Sequence, residues 1–109
     1  MTTMNKVFKA LADPTRRRVL ELLRRRPMTA GELSDQFPVS KPTMSAHFAV
    51  LREADLVDAH KQGATITYRL RLSVLEDALL GFSQVFGIGV AGAGPGSEAA
   101  PESTKGTPS

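Results

Sequence analysis

The sequence predicts a mainly helical α+β fold in the order α-α-α-α-β-β-α, in which the two strands form one hairpin. Apolar residues recur at the three- and four-residue spacing of amphipathic helices in four segments before residue 55 and in one after residue 72. Between these, the alternating segments 57–61 and 65–72 flank Gln62, Gly63 and Ala64, a pattern typical of a β-hairpin. With 109 residues, the chain has room for one small domain.

The domain is expected to span residues 1–88. From Gly87 onward the composition changes to glycine, alanine, proline and serine, without a periodic apolar pattern. Such a composition cannot bury enough apolar surface to form a core, so we predict a disordered C-terminal tail over residues 89–109.

The first two helices each have one apolar stripe. The stripe of the first helix consists of Met4, Val7, Phe8 and Leu11. Asp13 followed by Pro14 predicts the start of the second helix, with the carboxylate as N-cap and proline at the first helical position. The core face of the second helix consists of Val19, Leu20 and Leu23. Pro27 is expected to end it.

The third and fourth helices are predicted to be joined by a tight turn. Thr29 and Glu32 have the T-x-x-E spacing of a capping box, so the third helix is expected to begin near Ala30. Pro38 is expected to end it, since proline has no N–H to donate and clashes with the preceding turn. Its inward residues are Ala30, Leu33 and Phe37. The turn then covers residues 37–40, and the two helices form a helix-turn-helix.

The fourth helix is predicted to run from Lys41 to Ala54. Ser40 is a favourable N-cap, and Pro42 falls in the first turn, where a missing N–H removes no helical hydrogen bond. Asp55 is expected in the left-handed position after the helix, where a short polar side chain is tolerated. The buried face consists of Met44, Phe48 and Leu51, the outward face of Pro42, Thr43, Ala46 and Glu53, and the flanks of Lys41, Ser45 and His47.

The outward face of the fourth helix begins with small and polar side chains and one cation. Small polar side chains can approach base edges in a major groove about 12 Å wide, and Lys41 can reach a phosphate. The segment SKPTMSAHFAVLREADLV resembles the recognition-helix signature of the ArsR superfamily of winged-helix bacterial repressors. Upstream, DPTRRRVLELL resembles that family's second-helix opening. The likeness extends from Met4 to Phe86, and within the family the chain resembles the SdpR-like subgroup.

The resemblance implies a winged helix-turn-helix that binds double-stranded DNA, with the hairpin as the wing. The residues expected to contact DNA are Ser40, Lys41, Pro42, Thr43, Ser45, Ala46, His47, Lys61, Gln62 and Gly63. Two alternatives stay open, because a solvated hairpin tip would have the same sequence and His47 could be a structural histidine at the edge of the core. Many family members carry a longer polar side chain where this sequence has Ala46 or Ala49, so DNA shape is expected to contribute to readout.

The last helix is predicted to open at Ser73, which has capping-box spacing to Glu76, and to run to about Phe86. It carries two adjacent apolar seams, Leu75, Leu79, Phe82 and Phe86 in one and Val74, Ala78, Gly81 and Val85 in the other. This face is wider than one intramolecular contact needs, so a second copy is expected to cover it. The alternative is a terminal helix fully buried in its own domain.

The family resemblance implies dimerisation through the first and last helices. The residues expected in this homodimer interface are Met4, Val7, Phe8, Leu11, Val74, Ala78, Gly81, Phe82 and Val85.

The charge pattern favours a polyanionic partner. The formal net charge is +3, and arginines are grouped at residues 16–18 and 24–26. Either group alone can also be an ordinary solvated helix face. The first group falls in the opening turns of the second helix, where cations oppose the helix dipole. Its members are therefore expected to pair with an internal acid such as Asp13 or with a phosphate.

This sequence lacks the residues that several classes of function require. Cysteine is absent, which excludes disulfides, thiolate metal sites and thiol nucleophiles. Metal-sensing ArsR relatives carry paired cysteines on the first helix of the motif, where this chain has Thr29 and Gly31, or His and Asp ligands on the last helix, which here has no histidine. Asp58, His60 and His47 are too few for a tetrahedral site, so no metal or other cofactor is expected.

No Ser/His/Asp order, glycine-rich phosphate loop or carboxylate pair can be assembled, so the chain is not expected to be an enzyme. No apolar run is long enough for a signal peptide or a membrane span, which makes the cytoplasm the expected location.

These observations predict a homodimeric repressor that binds an inverted-repeat operator through residues Lys41–Ala54 and the wing. The alternative is a winged helix used as a protein-contact module. Without a metal cluster or a thiol, release from DNA is expected to depend on protein concentration or on capture by another protein. The resemblance suggests a membrane protein for that role, since SdpR-like relatives are associated with a membrane partner encoded beside them.

Overall fold

The computed structural model describes residues 2–87, with side chains from Met4 onward. The described residues divide into two units, the first ending at Leu75 and the second beginning at Glu76. The predicted tail, residues 89–109, and the expected boundary after residue 88 lie outside the described residues. The elements are α1 (Thr2–Leu11), α2 (Pro14–Arg25), β1 (Met28–Thr29), α3 (Ala30–Ser34), α4 (Lys41–Glu53), β2 (Val57–Gln62), β3 (Thr65–Leu70) and α5 (Leu72–Phe86).

The predicted starts of α2, α3 and α4 are confirmed. The Asp13 carboxylate accepts a hydrogen bond from the Arg16 backbone N–H at 3.1 Å, and Pro14 is the first residue of α2. At the start of α3 the two halves of the capping box between Thr29 and Glu32 are both formed, at 2.9 and 3.0 Å. At α4, the Ser40 hydroxyl caps the helix. These starts follow sequence rules because every partner lies within three residues.

Helix α4 ends at Glu53, one residue before the predicted Ala54, and the left-handed residue after it is as predicted. Asp55 has a φ of 59°, in the left-handed region. Its N–H donates to the Arg52 carbonyl at 2.9 Å, and the Leu56 N–H donates to the Leu51 carbonyl at 3.1 Å. This pair of bonds is a Schellman motif, which satisfies carbonyl groups that the end of a helix leaves free. The motif turns the chain directly from α4 into β2.

The core of the first unit contains the apolar residues predicted for α2 and α4. Helix α1 packs on both of these helices. The largest fully buried side chains are Val7, Val19, Leu33, Met44, Leu51 and Leu56. Burying one such aliphatic side chain stabilises the fold by roughly 1.5–3 kcal/mol. The core therefore fixes α4 with its opposite face directed to solvent.

The mainly helical fold with a hairpin wing is confirmed, but the predicted element order lacks one strand. Met28 and Thr29 form the short strand β1, which pairs antiparallel with Tyr68 and Thr67 of β3. The sheet order is therefore β1-β3-β2. A two-residue strand has no alternation to detect, so its existence depends on the pairing with β3 alone.

The hairpin of β2 and β3 closes more tightly than predicted. Gln62 and Thr65 form the last pair of the ladder, which leaves Gly63 and Ala64 as a two-residue loop. Gly63 has a φ of 60°, the positive value that the first central residue of a type II′ turn requires. The second strand ends at Leu70 and does not reach residue 72.

Two predicted helix boundaries are wrong. Helix α3 ends at Ser34 rather than at Pro38, because the N–H groups of Gln36 and Phe37 bond three residues back and tighten the chain into turns. Phe37 also precedes a proline, which disfavours helical geometry. The last helix begins at Leu72, so Ser73 lies within its first turn and is not the N-cap.

The early start of α5 follows from the sheet. The Arg71 N–H donates to the Leu56 carbonyl at 2.8 Å, which holds the chain beside β2 up to this residue. The Arg71 carbonyl then accepts from Val74 at 3.1 Å, and the helix begins at once.

Candidate nucleic-acid interface

The solvent-facing surface of α4 carries most of the residues predicted to contact DNA. The exposed members of that set are Ser40, Lys41, Pro42, Thr43, Ser45 and Ala46. The Ser40 hydroxyl donates to the Thr43 hydroxyl oxygen at 2.9 Å and accepts from the Thr43 backbone N–H at 3.3 Å. The Thr43 hydroxyl therefore keeps its own proton available for an acceptor outside the chain.

Lys41 is the cation at the start of this surface. Its side chain is exposed and forms no ion pair or hydrogen bond with the residues whose side chains are described. It stands beside the helix N-terminus, whose free N–H groups and dipole also favour an anion. This combination suits a phosphate of the DNA backbone.

His47 differs from the other predicted contacts, because only 14% of its side chain is exposed. Its Nδ1 atom lies 3.1 Å from Nη1 of Arg16 and 3.9 Å from Oδ2 of Asp13. The structure therefore brings His47 together with the junction of α1 and α2. Of the two roles that the sequence left open, this geometry corresponds to the structural one.

The wing places Lys61, Gln62 and Gly63 at its exposed tip. Lys61 pairs with Ile66 in the ladder, and Gln62 pairs with Thr65. At the base of the wing, Nε of Arg71 lies 3.7 Å from Oδ1 of Asp58. The tip thus presents a flexible cation and an amide, which can both donate to a phosphate oxygen.

A half-open cleft of about 450 Å³ lies beside α4, between α3 and β3. It is bounded on one side by Lys41, Ser45 and Arg52, and Tyr68 contributes to its floor. Burial raises the pKa of the Tyr68 phenol, and the nearby Arg52 cation partly offsets that rise. Sequence analysis did not assign Arg52 a role, although its spacing from Ser45 and Lys41 places all three on one flank.

The arginines at residues 16–18 have partners inside the chain. Arg16 donates to the carbonyl oxygens of Lys9 and Ala10, at 3.0 and 2.8 Å. Arg17 donates to the Leu11 carbonyl at 2.7 Å. These three carbonyls are at the C-terminus of α1, where a helix lacks internal donors and favours cations. The hydrogen bonds of Arg16 and Arg17 thus go to backbone carbonyls, and the Arg16 charge also lowers the pKa of Asp13, the acid that the sequence suggested. A phosphate partner for these arginines stays a prediction.

Arg18 does find an acid, since it pairs with the Glu21 carboxylate at 2.9 Å. Both side chains are largely exposed, so this pair contributes little to stability.

Asp13 combines a cap with an electrostatic contact. Partial burial by itself raises the pKa of its carboxyl. The Arg16 backbone N–H and the nearby positive charges, to which the His47 ring adds only when it is protonated, outweigh that effect. The pKa of Asp13 consequently lies below its usual value.

The residues predicted for dimerisation differ in the surface they leave exposed. In α1, Val7 is fully buried and has no surface left for a partner, whereas Met4, Phe8 and Leu11 are half-buried. In α5, Ala78 is buried, Val74 and Gly81 are half-buried, and Phe82 and Val85 are exposed.

Five large apolar side chains among the described residues of the second unit are exposed. They are Leu79, Leu80, Phe82, Val85 and Phe86, and the exposed fraction of Val85 reaches 72%. The alternative of a last helix fully buried within its own domain is therefore not what the structure shows.

The described residues include no group of three or more His, Cys, Asp or Glu side chains that could hold a metal ion. No helix among them is long and apolar enough to cross a membrane.

The comparisons with known proteins agree with this geometry. A family model for a helix-turn-helix domain matches residues 11–60. The transcriptional repressor SdpR of Bacillus subtilis is 45% identical over 76 residues, which cover 70% of this chain and 84% of SdpR. The arsenical resistance operon repressor of Staphylococcus aureus is 32% identical over 76 residues, which cover 70% of this chain and 73% of that repressor. The chain belongs to the ArsR family.

A solved structure supports the same assignment for this ArsR-family protein. The ArsR-like transcriptional regulator from Rhodococcus sp. RHA1 is 29% identical and superposes with a TM-score of 0.69, covering 78% of this chain and 80% of that one. The predicted winged helix-turn-helix and the likeness to SdpR-like repressors are thereby confirmed. The protein is a DNA-binding transcriptional regulator of the repressor type.

Proposed function

We propose that this ArsR-family protein is a homodimeric repressor that reads an inverted-repeat operator through α4 and the wing. The observation that carries the proposal is the outer face of α4, which is exposed and carries small and polar side chains. It begins with Lys41, which forms no ion pair with the residues whose side chains are described. A helix with this face can enter a major groove without a steric obstacle, while Lys41 sets its position on the phosphates.

The exposed apolar side chains of α5 support the dimer. Monomeric proteins rarely leave several large apolar residues adjacent on one helix, and here Phe82 and Phe86 also stack at 4.8 Å between ring centroids. A second copy of the same helix would remove this surface from water with two-fold symmetry. The half-buried Met4, Phe8 and Leu11 of α1 are proposed to complete the interface.

Two-fold symmetry determines the form of the operator. Each protomer presents one α4, so the two half-sites are inverted and lie about one helical turn apart, or roughly 10–10.5 base pairs. Few side chains of α4 are long enough for bidentate base contacts, since Ala46 and Ala49 occupy central outward positions. DNA shape is therefore proposed to supply part of the specificity.

Release from the operator is proposed to come from another protein or from a fall in repressor concentration. An effector can shift a population only by binding one conformation better than the other. Without cysteine in the chain, thiolate metal binding and thiol oxidation are not available for that purpose. We propose a protein ligand, with a membrane protein as one candidate.

The test combines size measurement with DNA titration. The probe is a duplex that the protein selects from genomic fragments, and a random duplex of equal length serves as the control. We expect a dimer at micromolar concentration, binding the intact repeat far better than one half-site. A monomer that binds one half-site equally well would overturn the proposal.

A salt series distinguishes DNA binding from a protein-contact function. Affinity for DNA should fall steeply with salt, because phosphate contacts release counterions. An absence of salt-dependent DNA binding would favour a protein-contact module.

A further inference from the structure

The side chain of Arg16 joins the end of one helix to the side of the recognition helix. Its Nη2 and Nε atoms donate to the carbonyls of Lys9 and Ala10, at 3.0 and 2.8 Å. Its Nη1 atom lies 3.1 Å from Nδ1 of His47, 31 residues further along the chain. One guanidinium thus contacts α1 and α4 from the first turn of α2.

The chemistry of the two groups determines the direction of the third bond. A guanidinium has five N–H donors and no acceptor. Nδ1 of His47 must therefore accept, which requires the neutral imidazole with its proton on Nε2. The Asp13 carboxylate lies 3.9 Å from the same nitrogen and does not replace this bond.

Because His47 lies on α4, its contact with Arg16 affects the orientation of that helix. His47 follows Thr43 by one helical turn, and its side chain is only 14% exposed. Because Arg16 donates to Nδ1, the His47 ring is held at the edge of the core. This contact fixes the rotation of α4 about its own axis, and with it the direction of the outward Thr43 and Ala46.

Reading base edges requires a defined orientation of α4, because contacts of this kind tolerate displacements of only about 0.5 Å or 10–20°. The two hydrogen bonds to the α1 carbonyls already hold the guanidinium of Arg16 in one position. The bond to His47 therefore acts as a rigid support.

We propose that Arg16 is a positioning residue for DNA recognition, which orients α4 by donating to His47 and does not itself contact phosphate. This inference rests on the proposed function. It also assigns to His47 the role of the acceptor in this pair and removes it from the base-reading residues.

The main test is the salt dependence of DNA binding by Arg16→Met, which removes the donors but keeps an unbranched side chain. The probes are a duplex selected by the wild-type protein from a randomised pool and a random duplex of equal length. We expect affinity for the selected duplex to fall about tenfold, the equivalent of one charge-assisted hydrogen bond. Binding to the random duplex and the slope of log affinity against log salt should stay unchanged.

Other results would overturn the inference. A slope reduced by about one, with equal loss on both duplexes, would show that Arg16 contacts phosphate. Unchanged affinity for the selected duplex would show that the contact does not position α4. The matched control is Arg18→Met, which removes the same charge from a neighbouring turn of α2, and it should not reproduce the selective loss.

Two further measurements keep the inference testable if Arg16→Met does not fold. His47→Gln offers an amide oxygen as an acceptor and should retain more affinity for the selected duplex than His47→Leu. Equal affinities would contradict the proposal. In the wild-type protein, the nitrogen NMR shifts of His47 at neutral pH should show an unprotonated Nδ1, and a protonated Nδ1 would contradict it.

The failure of this inference can be separated from the failure of the proposed function. If the wild-type protein selects no duplex, the repressor proposal fails. If it selects one and Arg16→Met binds that duplex equally well, only the positioning role fails.

Discussion

The ring of Phe48 in the recognition helix packs against the ring of Tyr68 in β3, with 4.7 Å between centroids and 33° between planes. Both side chains are buried, with exposed fractions of 5% and 4%. This contact connects α4, the helix proposed to enter the groove, to strand β3 of the wing. Aromatic pairs of this geometry contribute about 0.5–1.5 kcal/mol beyond the burial of their surface.

Removing one ring should destabilise the fold strongly. We expect Phe48→Ala to lower the free energy of unfolding by about 3–5 kcal/mol, because it removes buried surface and leaves a cavity. The measurement is urea unfolding followed by circular dichroism. Tyr68→Phe is the matched control, since it keeps both rings and should change stability by only about 1 kcal/mol. A loss below about 1 kcal/mol for Phe48→Ala would contradict the importance of this pair.

The lowered pKa of Asp13 predicts a specific dependence of stability on pH. A carboxyl with a lower pKa in the folded state stabilises the protein above its unfolded pKa, and this contribution is lost as the pH falls through the folded value. We expect the free energy of unfolding to decrease below about pH 4, near the unfolded pKa of aspartate. Denaturant unfolding at a series of pH values measures the decrease.

Asp13→Asn is the matched variant for that series. Asparagine is an equally favourable N-cap, so the cap on α2 is kept while the charge is removed. The variant should show a weaker decrease in stability on acidification. Identical profiles for the two proteins would mean that the Asp13 charge does not contribute.

Substitutions on the outer face of α4 should distinguish the residue that binds phosphate from the residues that read the bases. Thr43→Ala and Ser45→Ala are expected to reduce discrimination between operator and random DNA. Lys41→Ala should weaken binding to both and lower the salt slope by about one, because it removes a phosphate contact. Fluorescence anisotropy titrations at several salt concentrations measure these quantities.

Lys6→Ala is the control for Lys41→Ala, since it removes an exposed lysine from α1 instead. If the three α4 substitutions all leave operator binding unaffected, α4 is not the reading element.

Operator binding is expected to be indifferent to zinc, arsenite and thiol oxidants. The chain has no cysteine, and its described residues contain no cluster of three metal-ligating side chains. A gel-shift titration with each reagent tests the expectation. Release of DNA at one metal ion per protomer would contradict it.

The tail predicted for residues 89–109 should be dispensable for binding. A chain of residues 1–88 is expected to bind the operator with the affinity of the full chain, since the tail has no apolar pattern that could join the dimer interface. Loss of binding on truncation would assign the tail a role in dimerisation or DNA contact.

Sequence alone determined the features that depend on near neighbours. The caps at Asp13, Thr29 and Ser40 each use a backbone N–H within three residues, so residue type and spacing are sufficient to locate them. The same holds for Asp55, whose short polar side chain tolerates the left-handed conformation. The outward face of α4 followed from helical periodicity. The expected DNA contacts on it and on the wing came from the family resemblance and stay predictions.

Tertiary structure decided the features whose partners are distant in the chain. Strand β1 exists only because Met28 meets Tyr68 across the sheet. Helix α5 starts at Leu72 because Arg71 is bonded to Leu56. Neither pairing produces a local pattern in the sequence, because each joins residues that come close only in the folded chain.

Within the candidate site, Arg16 is an example of a residue whose partners only the tertiary structure decided. Its sequence position predicted only that a cation near a helix N-terminus needs a partner. Folding brought the C-terminus of α1 and the flank of α4 within reach, and these supply two carbonyls and the His47 ring. Composition and spacing show which groups need hydrogen bonds, whereas packing decides which distant groups satisfy them.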